Sequence, residues 1–273
     1  MEHTAIGHDN ADFAAETDSA RRFAGVARLY GASTLAAFRQ SHVTIVGIGG
    51  VGSWAVEALA RSAVGQLTLI DLDMIAESNV NRQVHALDGE FGRAKVSAMA
   101  QRIGLINPAC EVHEIEDFIT PENVTQLLCA SSDYVIDATD QVRTKAAMIA
   151  WAKLRAVPLI SAGSAGGQLD PARIAITDLA RTIQDPLLAR VRARLRREHG
   201  FPREPGRKFG IPAVFSSEAV RPPLVEGACG GRPVASGLSC AGFGSTVCVT
   251  ATFGFIAAGE VLRHLASRSA ASG

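Results

Sequence analysis

The stretch Val43-Thr44-Ile45-Val46-Gly47-Ile48-Gly49-Gly50-Val51-Gly52 joins a β-branched run to a glycine-rich turn. A short run of this kind that ends at glycines is typical of a buried parallel strand. Gly47 permits a tight turn, Gly49 lets backbone N–H groups approach a phosphate, and Gly52 lets the following helix pack closely on the strand. Because a helix start offers unpaired N–H donors and the positive end of the helix dipole, the stretch predicts an anion site.

A carboxylate follows the glycine motif at the distance expected of a nucleotide site. Asp71 ends the run Leu67-Thr68-Leu69-Ile70-Asp71, roughly 20 residues after the glycines, where it can hold ribose hydroxyls. A glycine turn without any ligand is the alternative interpretation. The order of strand, glycine turn, helix and second strand favours a nucleotide site.

Strands and helices alternate from the glycine motif to residue 161. The patterns predict strands at 43–46, 67–70, 111–115, 134–136 and 158–161, separated by helices at 53–62, 94–106, 121–129 and 143–155. This alternation predicts an α/β fold with a Rossmann-like, doubly wound, mostly parallel sheet. Ligands of such sheets bind beyond the carboxyl ends of the strands, and Asp71, Asp73, Asp137 and Asp140 all follow predicted strands.

The pattern changes after residue 161. Glycine-rich loops, a strand at 173–177 and a basic helix at 186–198 predict an inserted substrate-binding lobe. The predicted division is a disordered tail (1–20), a nucleotide-binding core (21–161), the inserted lobe (162–235), a C-terminal helix that returns to the core or a dimer interface (236–265) and a tail (266–273). The apolar run 243–262 has the length of a membrane span, but polar residues such as Glu260 interrupt it, which favours a buried helix.

Composition narrows the class of protein. The chain has 273 residues, 47% of them hydrophobic, and can therefore bury a full core. Lys and Arg together number 27, as do Asp and Glu, so binding to a polyanion requires a local basic patch. The five cysteines are widely spaced without a C-x-x-C pair, which argues against a disulfide framework or a structural zinc site and fits a reducing cytoplasm.

The loop after Asp71 carries charges that a dinucleotide cradle does not require. Asp73 is followed by Asn79 and Arg82 in Ser78-Asn79-Val80-Asn81-Arg82-Gln83, and Lys95 lies in the first turn of the next predicted helix. An arginine and a lysine close to the expected path of a triphosphate favour ATP over a nicotinamide cofactor.

These motifs together resemble the adenylation domain of the ubiquitin-activating superfamily. Within it, the chain most resembles the family of bacterial tRNA threonylcarbamoyladenosine dehydratases over about residues 21–265. The motifs shared across the superfamily are Gly47 to Gly52, Asp71 with Asp73, Asn79-Val80-Asn81-Arg82-Gln83, Lys95 and Asp137-Ala138-Thr139-Asp140. The more specific motifs are Thr177-Asp178-Leu179-Ala180, Ile183-Gln184-Asp185-Pro186-Leu187 and Phe215-Ser216-Ser217-Glu218.

The resemblance implies an activity. It implies an ATP-dependent, cyclising dehydration of N6-threonylcarbamoyladenosine in tRNA through an acyl adenylate, with release of AMP and pyrophosphate. ATP and Mg²⁺ are the implied cofactors. Modified tRNA and a second copy of the chain, as a homodimer, are the implied partners, and no DNA partner is implied.

The resemblance also implies roles for individual residues. Asp71 would hold the ribose, Arg82 and Lys95 the phosphates, and Asp140 the magnesium ion. The implied cofactor-binding set is Gly47, Gly49, Gly50, Gly52, Asp71, Asp73, Asn79, Arg82, Lys95 and Asp137. The implied catalytic set is Arg82, Lys95, Asp140 and Arg22. An N-terminal arginine, Arg22 or Arg28, would reach into the neighbouring subunit's site.

Cys240 is the best candidate for a reactive thiol, since some relatives transfer an activated group to a cysteine. No His or Lys adjoins it in sequence to lower the pKa of the thiol, and ring closure needs no protein nucleophile. A reactive Cys240 would imply a sulfur-relay partner of the cysteine desulfurase class.

The basic helix indicates a polyanionic partner. Arg190, Arg194 and Arg197 recur at helical spacing in a protein of zero net charge. A solvated basic face is the alternative, but this concentration of arginines favours binding to the phosphate backbone of tRNA.

Two other functions remain open from the sequence. The first is adenylation of the C-terminus of a sulfur-carrier or ubiquitin-like protein, although the missing C-x-x-C pairs and the arginine helix count against it. The second is a different class, an NAD-binding dehydrogenase or a nucleotide-sensing scaffold.

Overall fold

A single sheet organises the part of the chain that the computed structural model describes, residues 18–222 and 243–271. The strands found there are β1 (His42–Val46), β2 (Gln66–Ile70), β3 (Glu111–Ile115), β4 (Tyr134–Asp137), β5 (Leu159–Ala162), β6 (Ile174–Asp178) and β7 (Pro212–Ser216). Their order across the sheet is β3-β2-β1-β4-β5-β7-β6. All neighbouring pairs are parallel except β6 and β7. The predicted Rossmann-like, mostly parallel sheet is confirmed.

Helices cover both faces of the sheet. They are α1 (Ala24–Tyr30), α2 (Ala32–Gln40), α3 (Gly52–Arg61), α4 (Lys95–Ile106), α5 (Val124–Leu127), α6 (Val142–Arg155), α7 (Pro186–Glu198) and α8 (Val247–Ala271), with single 3-10 turns at 77–79, 171–173 and 179–181. Successive residues of β1 show how both faces are filled: Ile45 joins a core with α2, α3, α4 and α8, and Val46 joins a second core with α5, α6 and α7.

The long C-terminal helix α8 packs against α2 and α3. Its residues Val249, Phe253, Ala257 and Val261 are fully buried. Burial against the sheet and these helices explains why the run 243–262 is apolar, although its length would also suit a membrane span. None of the helices in the described residues is long and apolar enough to cross a membrane.

The described part of the predicted insertion, residues 162–222, continues the same sheet. β7 pairs with β5, and β6 pairs with β7. Helix α7 packs on α6. The end of β5 and the start of α7 therefore lie beside the carboxyl ends of the central strands, and the division into a core and a lobe stays a prediction.

Candidate active site

A cavity of about 280 Å³ lies at the carboxyl ends of β1, β2, β4 and β5. It spans the point where the strand order reverses between β1 and β4, which is where ligands of doubly wound sheets bind. The predicted site residues that line it are Gly47, Gly49, Gly50, Asp71, Asp73, Asn79, Arg82, Lys95 and Asp140. The fold thus brings most of the sequence-predicted set together.

Two of the glycines are required by close packing. Gly47 has φ +86°, and a Cβ there would lie 2.9 Å from the carbonyl oxygen of Ala138. A Cβ on Gly52 would overlap the carbonyl oxygen of Gly47. Gly49 is open by contrast, since its nearest neighbour would be Gln83 Nε2 at 3.9 Å. The turn is therefore held by Gly47 and Gly52, while Gly49 leaves room for a ligand to approach the backbone.

We expect Gly52→Ala to destabilise the protein and weaken ATP binding. The added methyl group would displace the Gly47 carbonyl within the glycine cradle, residues 47–52. Overpacking of this kind costs about 1–3 kcal/mol in free energy of unfolding. Chemical denaturation and calorimetric ATP titration measure the two effects. Gly259→Ala in α8 is the control, because among the described residues nothing outside the adjacent backbone of α8 lies within 4 Å of its added Cβ. A Gly52→Ala protein with wild-type stability and ATP affinity would contradict the packing role.

Asp71 fastens the glycine turn to the end of β2. Its Oδ2 accepts a hydrogen bond from the Ile48 N–H at 2.6 Å, and its Oδ1 accepts one from the Asp73 N–H at 2.8 Å. Lys95 Nζ lies 2.6 Å from Asp73 Oδ2 and 3.9 Å from Asp71 Oδ1. Burial raises the pKa of Asp71, although the Lys95 ammonium and the two N–H donors oppose the shift. The result is a nearly buried lysine beside two carboxylates at the cavity wall.

Arg82 enters the cavity from the loop after β2. Its backbone carbonyl accepts hydrogen bonds from Trp54 Nε1 at 2.9 Å and Thr250 Oγ1 at 3.5 Å. The guanidinium donates to the Ser78 carbonyl at 2.6 Å and to Asn81 Oδ1 at 2.9 Å. In the described residues no carboxylate pairs with it, so its positive charge is available to a phosphate.

The loop that carries Arg82 contains two buried neutral side chains, Asn79 and His85. Asn79 is buried, and its Oδ1 accepts a hydrogen bond from the Ala76 N–H at 3.0 Å. His85 is also buried, and burial, assisted by the charges of Lys95 and Arg102, lowers its pKa to about 4. His85 is therefore neutral at pH 7 and adds no positive charge beside Arg82.

Asp140 and Asp137 have different environments although both follow β4. Asp140 lies exposed at the cavity wall, and in the described ranges its carboxylate has no hydrogen bond or ion pair. Asp137 is fully buried and does not line the cavity. Its Oδ2 lies 3.0 Å from Lys145 Nζ and accepts a hydrogen bond from Ser161 Oγ at 2.7 Å, while its Oδ1 accepts one from Thr139 N at 3.1 Å.

Asp137 is hydrogen-bonded to the loop that carries Asp140. The contact between its Oδ1 and Thr139 holds the backbone just before Asp140. Lys145 and Ser161 occupy the other carboxylate oxygen. These contacts engage both carboxylate oxygens of a side chain that does not line the cavity. The predicted contact of Asp137 with the nucleotide stays a prediction.

The N-terminal arginines lie outside the cavity of their own chain. Arg22 Nε donates to Asp18 Oδ2 at 2.6 Å, and its Nη1 donates to the Leu105 and Ile106 carbonyls at 3.2 and 3.3 Å. These carbonyls end α4, whereas Lys95 begins it, about 16 Å away along the helix axis. Arg28 is exposed and has no hydrogen bond or ion pair with any described residue.

Cys240, the predicted thiol, lies outside the described residues. The described cysteines Cys110, Cys129 and Cys248 are free, and none of them lines the cavity. No group of three or more His, Cys, Asp or Glu side chains suited to a metal ion occurs in residues 18–222 or 243–271. A covalent thiol role stays a prediction.

The arginines of α7 divide between two faces. Arg192 donates to Thr182 Oγ1, and Arg196 donates to the Pro202 carbonyl at 3.1 Å and stacks on Phe209. Arg190 and Arg197 are exposed, and Arg194 is partly exposed. Glu198 pairs with both Arg194 and Arg197 at 2.7 Å. The predicted trio Arg190, Arg194 and Arg197 thus forms an outward basic face with one local acid.

Several cavity residues were not predicted from the sequence. Examples are Gln83, Phe118, Ser164, Leu187 and Thr250. Gln83 and Leu187 lie in motifs that carry the family resemblance, and those motifs were the local signal available. The others reach the cavity from distant segments, so only the fold reveals them.

Comparisons with known proteins agree with this geometry. The ThiF family model matches residues 21–271. A tRNA threonylcarbamoyladenosine dehydratase of Escherichia coli K12 is 48% identical over 258 residues, which cover 93% of this chain and 96% of the relative. The tRNA threonylcarbamoyladenosine dehydratase of Haemophilus influenzae is 50% identical over 246 residues, which cover 90% of this chain and 93% of the relative. The crystal structure of the E. coli dehydratase in complex with ATP matches with a TM-score of 0.84 at 46% identity, covering 93% of this chain and 97% of that one.

Proposed function

The chain belongs to the ThiF family, and we propose that it catalyses the reaction named for its relatives, the ATP-dependent dehydration of N6-threonylcarbamoyladenosine in tRNA. The observation that best supports this function is that Arg82, Lys95 and residues of the glycine cradle, 47–52, line one cavity. A carboxylate that attacks a phosphate brings two anions together, and cations at the cradle offset that repulsion. A nicotinamide dehydrogenase needs no such pair.

The reaction consists of two displacements. In the first, a carboxylate oxygen of the threonyl group attacks the α-phosphorus of ATP, the bond to the bridging oxygen breaks, and pyrophosphate leaves. In the second, the ureido group attacks the activated carboxyl carbon, AMP leaves with the former carboxylate oxygen, and the ureido proton passes to solvent. The substrate has then lost the elements of water. Because both groups belong to one molecule, ring closure has a high effective molarity and requires no protein nucleophile.

The proposal includes a Mg²⁺ ion bound by Asp140. Mg²⁺ is usually held by one or two carboxylates together with substrate phosphates. Asp140 is exposed at the cavity and unpaired in the described ranges, which suits such a role. When bound, the ion would neutralise charge that develops on the departing pyrophosphate.

We also infer a cytoplasmic homodimer in which an N-terminal arginine completes the partner's site. Arg22 is bound to Asp18 and to carbonyls at the end of α4 in its own chain. Arg28 has no hydrogen bond or ion pair with the described residues, which favours Arg28 for this role. A sulfur-relay partner of the cysteine desulfurase class depends on Cys240 and stays a prediction.

The product of the reaction tests the function. Incubation with ATP and tRNA that carries N6-threonylcarbamoyladenosine should yield AMP and a nucleoside lighter by one water, as read by mass spectrometry of the digested tRNA. AMP formation that requires a sulfur-carrier protein instead of tRNA would favour the alternative adenylation. Reduction of a nicotinamide cofactor would favour a dehydrogenase.

We expect the outward face of α7 to bind the tRNA backbone. Changing Arg190, Arg194 and Arg197 together to Gln should weaken tRNA binding and reduce the slope of log affinity against log salt by roughly two to three units, since each neutralised phosphate releases most of one counterion. ATP affinity should not change. Filter binding over a salt series measures the slope.

A matched triple variant provides the control. Arg39, Arg61 and Arg263 lie on α2, α3 and α8, which pack on the opposite face of the sheet. Their change to Gln removes the same charge away from α7 and should leave the salt slope unchanged. Equal loss in both triple variants would mean that overall charge, not the α7 face, attracts tRNA.

A further inference from the structure

The cavity extends beyond the nucleotide cradle. Its first half lies over β1 and β2 and contains Gly49, Asp71 and Lys95. Its second half lies beyond β4 and β5. The residues that line this second half are Gln141, Thr144, Gly163, Ser164, Ala165 and Leu187. If an adenine nucleotide occupies the first half of the cavity, the second half is free for the modified nucleoside.

One buried carboxylate builds the wall of this second half. Asp185 Oδ2 accepts a hydrogen bond from the Ser164 N–H at 2.9 Å, and its Oδ1 accepts one from the Leu188 N–H at 2.9 Å. Asp185 thus caps the start of α7 and also fixes the turn that follows β5. Gly163 permits this contact, because a Cβ there would overlap Asp185 Oδ2. The turn 163–165 and the first residues of α7 therefore form one unit.

The second half offers neutral hydrogen-bonding groups. Ser164 is half-buried, and its hydroxyl has no hydrogen-bond partner in the described residues. Gln141 and Thr144 are further neutral, polar side chains of this half. Ala165 and Leu187 add apolar surface. Among the described residues, the charged side chains near this half are Asp140 and the exposed Asp117, and both are acidic. This half therefore suits a neutral, polar group rather than a polyphosphate.

The basic face of α7 begins at this pocket. Leu187 lines the cavity from the first turn of the helix. Arg190, Arg194 and Arg197 follow at about 4, 10 and 15 Å along the axis. An RNA backbone along this face would bring a splayed-out nucleoside to the start of the helix, the usual way in which proteins read single-stranded RNA loops.

We propose that residues 163–165 and Leu187 form the pocket for the modified nucleoside, with the Ser164 hydroxyl bonded to its neutral ureido group and the threonyl carboxylate directed towards the cations Arg82 and Lys95. Asp185 is a positioning residue that holds this pocket against α7. The inference rests on the proposed function, since the ligand is the substrate of that reaction. It adds the residues that distinguish the modified nucleoside from an unmodified adenosine.

Ser164→Ala and Ser164→Val test the contact. Loss of one hydrogen bond to the substrate should raise the KM for modified tRNA about five- to tenfold, and the larger valine should raise it further. The KM for ATP and the affinity for unmodified tRNA should stay within about twofold of wild type. Ser267→Ala, at an exposed serine of α8, is the control.

The possible results separate the inference from the function on which it rests. An unchanged KM for modified tRNA in both Ser164 variants, with an active wild type, would overturn the pocket while leaving the function intact. A parallel loss of ATP affinity would also overturn it, because the wall would then belong to the nucleotide site. A wild-type protein that does not dehydrate modified tRNA would instead refute the proposed function.

Asp185→Asn tests the positioning role. The amide retains one acceptor, so it can cap α7 or hold the Ser164 N–H but cannot do both. We expect a several-fold higher KM for modified tRNA, with the KM for ATP unchanged. A variant that lowers kcat and both affinities together would show a general structural role and would contradict positioning of the pocket.

Discussion

Arg82→Ala is expected to reduce adenylate formation by about 100- to 1,000-fold. The guanidinium lies at the cradle, and in the described residues only neutral oxygens accept its hydrogen bonds. Its loss removes a positive charge from the place where negative charge develops on the phosphates. Single-turnover formation of AMP with modified tRNA measures the effect.

The fold should survive this change. Trp54 and Thr250 bond to the backbone carbonyl of Arg82, which alanine retains. Arg93→Ala is a suitable control, since Arg93 pairs with Glu90 outside the cavity lining. Near-normal turnover in Arg82→Ala would refute the phosphate role.

Asp140→Asn is expected to reduce Mg²⁺-dependent turnover by about 100-fold or more. The amide preserves size but removes the charge that a hard cation requires. ATP binding measured without Mg²⁺ should be retained, because Asp140 makes no hydrogen bond or ion pair with the glycine turn in the described residues. Turnover across a Mg²⁺ titration distinguishes weaker metal binding from a general loss of activity.

Asp137→Asn is the matched comparison for Asp140→Asn, because it makes the same change at the other carboxylate that follows β4. Asp137 and Lys145 are both fully buried and 3.0 Å apart, so removing one charge leaves the other unpaired. A loss of about 3–5 kcal/mol in free energy of unfolding is expected. Asp140→Asn should keep wild-type stability. If Asp137→Asn alone lost Mg²⁺-dependent turnover at normal stability, the two roles would be reversed.

The strands up to β5 could be predicted because β1, β2, β4 and β5 are short, mainly apolar runs bounded by polar or turn residues, while β3 mixes polar and apolar side chains. The fold class followed from their alternation with helices. β7 was missed, since Pro212-Ala213-Val214-Phe215-Ser216 is a short apolar run that begins with proline and lies far from any regular alternation. Its place between β5 and β6 depends on long-range pairing that no local pattern encodes.

The site could be predicted where its chemistry lies in one local motif. Gly47 to Gly52, Asp71 and the Arg82 loop occur at fixed spacings, and the fold brings them to one cavity. Asp137 shows the limit of such reasoning, because a strand-end residue can face either the ligand or the core, and the buried Lys145 that decides this is eight residues away. Ser164 and Leu187 reach the cavity only through tertiary packing.

Pyrophosphate exchange tests the central claim most directly. Labelled pyrophosphate should enter ATP only when tRNA carrying N6-threonylcarbamoyladenosine is present, because the reversible step is attack of that nucleoside's carboxylate on the α-phosphate. Unmodified tRNA lacks the carboxylate and should support no exchange. Exchange without tRNA, or exchange that depends on the C-terminus of a sulfur-carrier protein, would contradict the account.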